Sequence, residues 1–342
     1  MTLEAAKQLD SVFGSRELES INAELPLRLI VKNGQRYVLV FNRSLTKSIL
    51  LSKCFSAFDY YKPGTEKLRN SGIPCEELSK FWEHTPLFLE GLEHKKTKLY
   101  FHKRLEALNV FLLDKQSTVD RFIAKRKRML RTPLDFSRAV TRILFAFLIV
   151  ELTGIGHRKI LRALDMRCNV FFGYFHAPRH KSIAALFEWL FHENSGNDES
   201  CSQDRLLAQS FLVMGADPIM ASICGAIVSG SKSFSESVYR IPPVSFVTRI
   251  CTSHFSCDGW DFYKGDLVNL SLLPNWDELI NEDDKNLSNS ISFALGTHKC
   301  IGENISLTIL NMAQIIFENN YPEGFPEESR ISPDGTFLAF GN

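Results

Sequence analysis

One cysteine near the C-terminal end of the sequence has the surroundings that an iron-bound thiolate needs. Cys300 lies between Gly296 and Gly302, and the apolar spacing of the residues after it predicts a helix. A cysteine thiolate can be the proximal ligand of a haem iron and then favours O–O cleavage. Glycines let the backbone turn tightly against a flat ring, and a helix N-terminus stabilises a thiolate. The alternative is a loop that carries an ordinary buried cysteine.

The ten residues from Phe293 to Gly302 resemble the cytochrome P450 signature Phe-x-x-Gly-x-His/Arg-x-Cys-x-Gly at every fixed position. The resemblance implies haem b (iron protoporphyrin IX) as cofactor, with Cys300 as the proximal ligand of the iron. It also implies that Phe293 shields the iron–sulfur bond from water and that His298 hydrogen-bonds a haem propionate. Gly296 and Gly302 would let the backbone lie close to the porphyrin.

The bulk composition is that of an ordinary globular protein. The chain has 342 residues, 44% of them hydrophobic and 23% charged, with a net charge of +1. This balance gives no reason to expect a nucleic-acid partner. Eight cysteines without a CxxC pair predict free thiols in a reducing compartment. The segment Met1–Arg16 has no apolar run, which predicts neither a signal peptide nor a membrane anchor, and hence a soluble, cytoplasmic protein.

The resemblance covers the chain from about residue 22 to its end and implies one fold. That fold is mainly α, a cytochrome P450-like helical fold with a small β-sheet near the N-terminus and short β-hairpins, and it forms a single domain over residues 1–342. Alternating apolar residues around Asn33-Gly34 predict the first hairpin. The apolar stretch 134–155, with Gly154 near its end, predicts a buried helix with a glycine cap. Residues 321–340 predict a last hairpin.

Three further cationic residues are implied to hold the haem propionates. His94 and Lys98 lie at i and i+4, on one face of a predicted helix, where the family has a His-x-x-x-Arg pair. Lysine keeps the charge of arginine but loses its bidentate fork. Arg249, at the end of a predicted strand, matches a carboxylate in bidentate geometry. For His94 and Lys98 the alternative is an ordinary solvated basic helix.

The predicted central helix, residues 206–227, departs from the family pattern at one position. Gly215-Ala216-Asp217-Pro218 aligns with Gly-x-Asp/Glu-Thr, so Pro218 replaces the threonine. The resemblance implies that Gly215 leaves room for dioxygen and that Asp217 takes part in proton delivery. Proline lacks a backbone N–H and favours a kink, which leaves nearby carbonyls available to water or substrate. The alternative is a kink with a purely structural meaning.

Other segments resemble the family less closely. Before Pro242-Pro243, Tyr239 stands where the family has the arginine of Glu-x-x-Arg, and Arg240 falls one place later. Glu236 and Arg240 still share a helix face, so a salt bridge remains available. Segments 54–90 and 170–176 correspond to a loop-rich haem roof and a mobile lid. The side chains expected to shape the substrate pocket are Phe171, Phe211, Met214, Val244 and Phe246.

Two basic clusters have two interpretations. The first is Lys95, Lys96, Lys103 and Arg104, and the second is Lys125 to Arg128 with Arg131 on the next predicted helix. Such runs are usually solvated surface. In the family an acidic electron donor docks on the proximal face. The alternative interpretation is therefore that some of these basic residues bind such a donor.

Three hypotheses for the function follow. The first is a haem-thiolate monooxygenase that oxidises a small organic substrate in secondary metabolism, with electrons from a ferredoxin- or flavodoxin-type donor. The second is an atypical haem-thiolate enzyme that uses peroxide or catalyses dehydration or isomerisation, which needs no threonine relay. The third is a non-catalytic haem-binding relic, suggested by the displaced Glu236–Arg240 pair.

Overall fold

A computed structural model describes most of the chain. The described residues are 27–32, 34–57, 61–166, 177–192, 199–240, 242–244, 246–272 and 290–325, with backbone alone at 61–63, 177–180 and 199–201. The N-terminal segment, Asn33, the expected lid at 170–176 with Phe171, and most of the expected last hairpin lie outside these residues.

The described elements are mainly helices, with a small mixed sheet. The helices are α1 Arg43–Leu51, α2 Tyr61–Asn70, α3 Glu76–His84, α4 Gly91–Arg126, α5 Pro133–Thr153, α6 His157–Asp165, α7 Ala177–Phe191, α8 Glu199–Ser210, α9 Ala216–Val228, α10 Phe234–Arg240 and α11 Glu303–Asn320. The strands are β1 Leu27–Lys32, β2 Gln35–Val40, β3 Phe55–Ala57, β4 Phe246–Cys251, β5 Phe255–Cys257, β6 Trp260–Phe262 and β7 Leu267–Ser271. The mainly α prediction is confirmed.

The chain divides into two compact units, Met1–Asp59 with Glu236–Cys300 and Tyr60–Ser235 with Ile301–Asn342. We call them the sheet unit and the helical unit. Each is formed from two separate stretches of sequence, so neither is complete until the chain has returned to it. The single-domain expectation stays a prediction.

The sheet unit is built on five strands in the order β1-β2-β7-β4-β3. The hairpin β1–β2 is antiparallel, with Lys32 opposite Gln35 and Gly34 at a φ of 75° in the turn, as the alternating sequence predicts. Strand β2 pairs with β7 in parallel, and the other pairs are antiparallel. Three of the five strands therefore lie near the N-terminus of the sequence, whereas β4 and β7 come from residues 246–271.

One face of this sheet carries the core of the sheet unit. Strands β2 and β7 and helix α1 supply buried apolar side chains, which pack with the start of the cysteine loop. Members of this core include Val40, Leu45, Ile49, Leu270, Ile291 and Ala294. The loop therefore begins on the core of the sheet unit, and its first residues are fixed by burial of apolar side chains.

The helical unit is organised by α4, α5, α9 and α11. Buried residues recur on α4 at spacings of three, four and seven, as at Phe101, Leu105, Leu108 and Leu112, which is one face of a helix. At the end of α11, the Asn320 side-chain amide donates to an Asp120 carboxylate oxygen of α4 at 2.6 Å. The helix that follows the cysteine loop is thereby tied to α4.

Helix α5 has the boundaries that the sequence predicts. Thr132 Oγ1 accepts from the Asp135 backbone N–H at 3.1 Å, and an Asp135 carboxylate oxygen accepts from the Thr132 N–H at 3.2 Å. This is a capping box, with Pro133 in the first turn. At the other end Gly154 is left-handed, at a φ of 67°, and its N–H donates to the Val150 carbonyl.

Two expectations about local structure are wrong. Segment 54–90, expected to be loop-rich, contains α2 and α3. The basic clusters around Lys95 and Lys125 were expected on two helices, whereas α4 is a single helix of 36 residues that carries both. After Gly91, α4 contains no proline and no glycine, and so nothing interrupts the helix.

Among the described residues, one helical stretch, Ser202–Val228, is long and apolar enough to cross a membrane by length and composition alone. Of its most apolar window, 72% is buried inside the protein. A buried core helix passes the same test, and the stretch is weak support for a membrane span.

The capping box gives a test of the fold. Replacing Thr132 by alanine removes the acceptor of the Asp135 N–H, and we expect the free energy of unfolding to fall by about 1 kcal/mol. Thr132→Ser keeps the hydroxyl and should be nearly neutral. The measurement is the urea unfolding midpoint, and equal midpoints for the alanine variant and the wild type would contradict the cap.

Candidate functional site

The cysteine loop is closed by its own backbone hydrogen bonds. The Cys300 N–H donates to the Phe293 carbonyl at 2.8 Å, and the Ala294 N–H donates to the Ile291 carbonyl at 2.8 Å. Between them, residues Gly296–His298 form a single 3-10 turn. The bond from Cys300 to Phe293 holds the two ends of this eight-residue segment together. It thereby fixes the backbone that carries the Cys300 thiol.

Glycine is required at position 296 for two independent reasons. Its φ is +71°, a left-handed conformation that side chains disfavour. A Cβ built there would lie 2.7 Å from the Leu50 carbonyl oxygen, at the end of α1. Because the obstacle is backbone, it cannot rotate away as a side chain would. The loop thus lies directly on the C-terminal end of α1.

The loop is also attached to α10. The Phe293 ring meets the Tyr239 ring edge-to-face, with centroids 5.7 Å apart. The Ser292 hydroxyl donates to the Tyr239 carbonyl at 3.3 Å. Tyr239 stands at the position where the family has an arginine. In this chain the residue at that position makes an aromatic contact with the cysteine loop. Glu236 and Arg240 both lie on α10, and their salt bridge stays a prediction.

Cys300 differs from the other described cysteines in exposure. Of Cys54, Cys75, Cys224, Cys251, Cys257 and Cys300, it is the one with an exposed side chain. Burial raises the pKa of the Cys224 thiol to about 11, and burial together with Asp266 does the same for Cys251. Those two thiols stay protonated at neutral pH and cannot readily act as ligands. Hydrogen bonds from Ser253 and Ser52 lower the pKa of Cys54.

Arg249 is a buried cation in the sheet unit. It lies on β4 opposite Ala57 and Val268, its side chain is 6% exposed, and its Nη1 donates to the Thr248 carbonyl at 2.9 Å. Its expected role in holding a haem propionate stays a prediction.

His94 and Lys98 lie where the sequence predicts, one turn apart at the start of α4. His94 is 3% exposed, and Lys98 is half-buried. His94 belongs to the buried stripe of α4 that continues through Thr97 and Phe101. Both residues therefore lie on or beside the inward face of the helix, which argues against an ordinary solvated basic helix at this end.

The central helix is irregular just before the proline. Residues Phe211–Gly215 form one turn of π-helix between α8 and α9, and the Ala216 N–H donates to the Phe211 carbonyl. Such single π turns inside α-helices are frequent at functional sites. The helix extends over 199–228, longer than the predicted 206–227, and Asp217 and Pro218 lie in its first turn after the π segment.

Gly215 has a packing role in the structure. A Cβ at this position would lie 2.9 Å from Cε1 of Phe145, and Phe145 packs edge-to-face on Phe211 at 5.5 Å. The glycine therefore allows the central helix to approach α5 closely. Its expected role of leaving room for dioxygen stays a prediction.

Pro218 changes the backbone hydrogen bonding of this helix. Having no N–H, it cannot donate to Met214 in the α pattern or to Val213 in the π pattern. Its own carbonyl accepts from the Ser222 hydroxyl at 3.0 Å. The expectation that a nearby carbonyl is left available to water or substrate stays a prediction.

The expected pocket residues are divided between the two units. In the helical unit Phe211 is buried against Phe145, and Met214 is partly buried in the π turn. In the sheet unit Phe246 packs edge-to-face on Phe41 at 6.0 Å, and Val244 packs on the core of that unit. A substrate-contacting role for these four residues stays a prediction.

The residues of the loop fit a haem held by a single thiolate. The thiol is exposed, Lys299 beside it is cationic, and Gly302 is the N-cap of α11, an 18-residue helix whose positive end favours a thiolate. Among the described residues, no cluster of three or more His, Cys, Asp and Glu side chains forms a metal site. The missing side chain of Gly296 faces the Leu50 carbonyl, and the expected role of Gly296 and Gly302 in letting the backbone lie close to a flat ring stays a prediction.

The sequence matches no family model, and no curated protein matches it. Solved structures do match, and those reported are cytochromes P450. PksS, of the bacillaene polyketide synthase of Bacillus subtilis 168, has a TM-score of 0.63 and 13% identity over 90% of this chain and 88% of that chain. CYP154A1 from Streptomyces coelicolor A3(2) has a TM-score of 0.66 and 14% identity, over 90% and 89%. P450BioI, solved in complex with a hexadec-9Z-enoic acid ligated acyl carrier protein, has a TM-score of 0.65 and 12% identity, over 89% and 90%.

Two residues that shape the site, Leu50 and Phe145, were missed by sequence reasoning, and a third, Tyr239, was named without its contact to Phe293. The carbonyl of Leu50 and the ring of Phe145 explain the glycines at 296 and 215, and Tyr239 supports the loop. Leu50 and Phe145 carry no sequence signal, because the sequence of an apolar helix does not show which distant residue each side chain or carbonyl will contact. Tyr239 was noticeable as the residue in the arginine register.

The contact at position 296 gives a test of the loop. Gly296→Ala should lower the free energy of unfolding by about 1–3 kcal/mol, since it adds left-handed strain and a clash with the Leu50 carbonyl. Gly302→Ala is the control, because Gly302 has a φ of −85° that alanine adopts freely. Equal stabilities of the two variants in urea unfolding would refute the close approach.

Proposed function

We propose, from the premise that this chain has the cytochrome P450 fold, that it is a haem-thiolate oxidoreductase. The reaction is a monooxygenase-type oxidation of a small organic molecule. One observation carries the proposal: the exposed thiol of Cys300 stands at the end of a loop whose shape depends on Gly296 and on the Phe293–Tyr239 contact. When bound, a thiolate-ligated haem b supplies the activation of dioxygen.

The loop residues have separate roles in this proposal. Cys300 is the proximal ligand, and the positive end of α11 and Lys299 keep its sulfur deprotonated. Phe293, fixed by the Tyr239 ring, excludes water from the sulfur. Gly296 and Gly302 let the backbone approach the ring plane.

Cationic side chains hold the propionates. Arg249, on β4, binds one carboxylate through its guanidinium, which matches a carboxylate in bidentate geometry. His94 and Lys98, on the inward side of α4, and His298 in the loop donate to the same pair of carboxylates. Lys98 contributes a point charge, without the paired N–H donors with which an arginine binds both oxygens of a carboxylate.

Asp217 and the backbone before Pro218 handle protons. Asp217 would act as a general acid, holding a proton at its carboxyl group for delivery during the oxygen chemistry that the haem would supply. Because the threonine is absent, we expect a water or a hydroxyl group of the substrate to donate a hydrogen bond to a backbone carbonyl that the missing N–H of Pro218 leaves available. The π turn supports this role, since it widens the helix at that point.

The proposed substrate class is supported by similar structures as well as by the sequence. Three of these structures belong to natural-product biosynthesis: PksS of the bacillaene polyketide synthase, RauA with a biosynthetic intermediate of aurachin RE, and OxyD of vancomycin-type antibiotic biosynthesis. They support secondary metabolism as the setting. The proposed electron donor is a ferredoxin- or flavodoxin-type protein, and the proposed location is the cytoplasm.

A second candidate function is favoured by Pro218. An enzyme that uses peroxide, or that dehydrates or isomerises an oxygenated substrate, needs no threonine relay. The loss of that threonine is therefore no handicap to it, and the same loop and haem serve. A non-catalytic relic is less well supported, because Tyr239 compensates for the displaced arginine by contacting Phe293.

The ligand assignment has a spectroscopic test. The reduced, carbon-monoxide-bound protein should show the long-wavelength Soret band of a thiolate-ligated haem, and Cys300→Ser should abolish that band. Cys257→Ser, at a partly buried cysteine of β5, should leave it unchanged. A protein that binds no haem, or a band that survives Cys300→Ser, contradicts the proposal.

Asp217 separates the two candidate functions. Asp217→Asn should lower turnover driven by NADPH and a surrogate ferredoxin pair by about a hundredfold, because a general acid is lost. Peroxide already carries the protons that this route needs, so peroxide-driven turnover should change little. Products from a panel of small organic molecules are measured by mass spectrometry.

Asp114→Asn is the matched control, since Asp114 is exposed on α4. An equal loss by both routes would show that Asp217 is not a proton donor. Faster turnover with peroxide than with the electron donor in the wild type would favour the second candidate function.

A further inference from the structure

The helical unit contains a groove that is lined by none of the residues of the cysteine loop. It lies between the end of α4, α5 and α6, and its volume is about 450 Å³, which is within the range of small-molecule sites. Its floor is apolar and includes Phe122, Leu130, Ile143, Phe147 and Leu161. Its rim carries the guanidinium groups of Arg126, Arg138 and Arg142.

This groove is far from the proposed propionate anchors on the same helix. Lys98 and Arg126 are 28 residues apart on α4, or about 42 Å at 1.5 Å per residue. A ligand of the groove therefore cannot be the group that Lys98 holds. The groove needs an explanation of its own.

The cations of the rim exceed the anions that neutralise them. Asp165 is paired with Arg142 at 2.6 Å, and Asp135 is engaged in the capping box with Thr132. Arg138, which is half-buried, has no hydrogen bond, ion pair or ring contact with any residue in the described part of the chain. The groove therefore has a net positive potential.

Arg142 adds a second unsatisfied donor. Its Nη2 group meets Asp165 and the Leu161 carbonyl, whereas its Nε is buried and finds no acceptor among the described residues. A buried donor without an acceptor is costly, and native proteins rarely leave one. Arg138 and Arg142 are i and i+4 on α5, so they share one face of the helix. An anionic group at that face would satisfy both.

We propose that this groove binds a small amphipathic anion, a carboxylate or phosphate monoester attached to an apolar chain or ring. The anionic group interacts with Arg138 and with the Nε edge of Arg142, since guanidinium matches both anions. The apolar body lies on Phe122, Ile143 and Leu161. The exposed cations Lys125, Lys127 and Arg128 beside the groove raise the local concentration of such anions.

A pair of fluorescent probes tests the proposal. The probe 1-anilinonaphthalene-8-sulfonate has an apolar ring system with an anionic group, and N-phenyl-1-naphthylamine is the same ring system without it. Arg138→Gln should weaken binding of the sulfonate by about tenfold and leave the neutral probe unchanged, because only the charged hydrogen bonds are lost. Ala139→Trp fills the groove beside Arg138 and should weaken both probes.

Arg128→Gln is the matched control, because it removes a cation of the same basic run that does not line the groove. Decanoate and decyl phosphate should displace the sulfonate, and decanol should not. Thermal unfolding of each variant establishes that it is folded. Sulfonate binding that survives Arg138→Gln or Ala139→Trp, or that falls equally in Arg128→Gln, would overturn the proposal, since the probe would then be bound elsewhere or by charge alone. None of these readouts depends on haem.

Discussion

A single backbone contact shapes the loop that carries the candidate ligand. The carbonyl oxygen of Leu50 comes so close to residue 296 that no Cβ fits between them, and the same residue has a left-handed backbone. Both conditions are met by glycine alone. A metal-binding thiol has to be held in place by its supporting residues. Backbone contacts serve well here because they have no rotamers to lose, and the Phe293–Tyr239 ring contact and the Ser292 hydrogen bond reinforce them.

The central helix shows how one substitution alters a whole turn of backbone. Pro218 removes a donor just after a π turn, and Gly215 inside that turn packs against Phe145. The helix is therefore held close to α5 at Gly215, and three residues later Pro218 contributes no backbone N–H.

The long helix α4 connects two regions of different chemistry. Its first turns carry His94 and Lys98 on or beside the buried face, and its last turns carry Arg126 at the rim of the arginine groove. Uninterrupted helix between them keeps the two regions about 42 Å apart. The two ends of α4 therefore require separate explanations.

The sequence alone determined the features that depend on neighbours within a few residues. The hairpin around Gly34 and the glycine end of α5 follow from turn chemistry and capping, and the cysteine loop was recognised from residue types at fixed spacings that resemble a known signature. Tertiary structure decided the contacts between distant residues: Leu50 against Gly296, Phe145 against Gly215, and β4 and β7 completing the sheet that β1 and β2 begin. The reason is physical. Backbone hydrogen bonds and helical periodicity act locally, whereas a close approach or a groove exists only after separate elements have packed together.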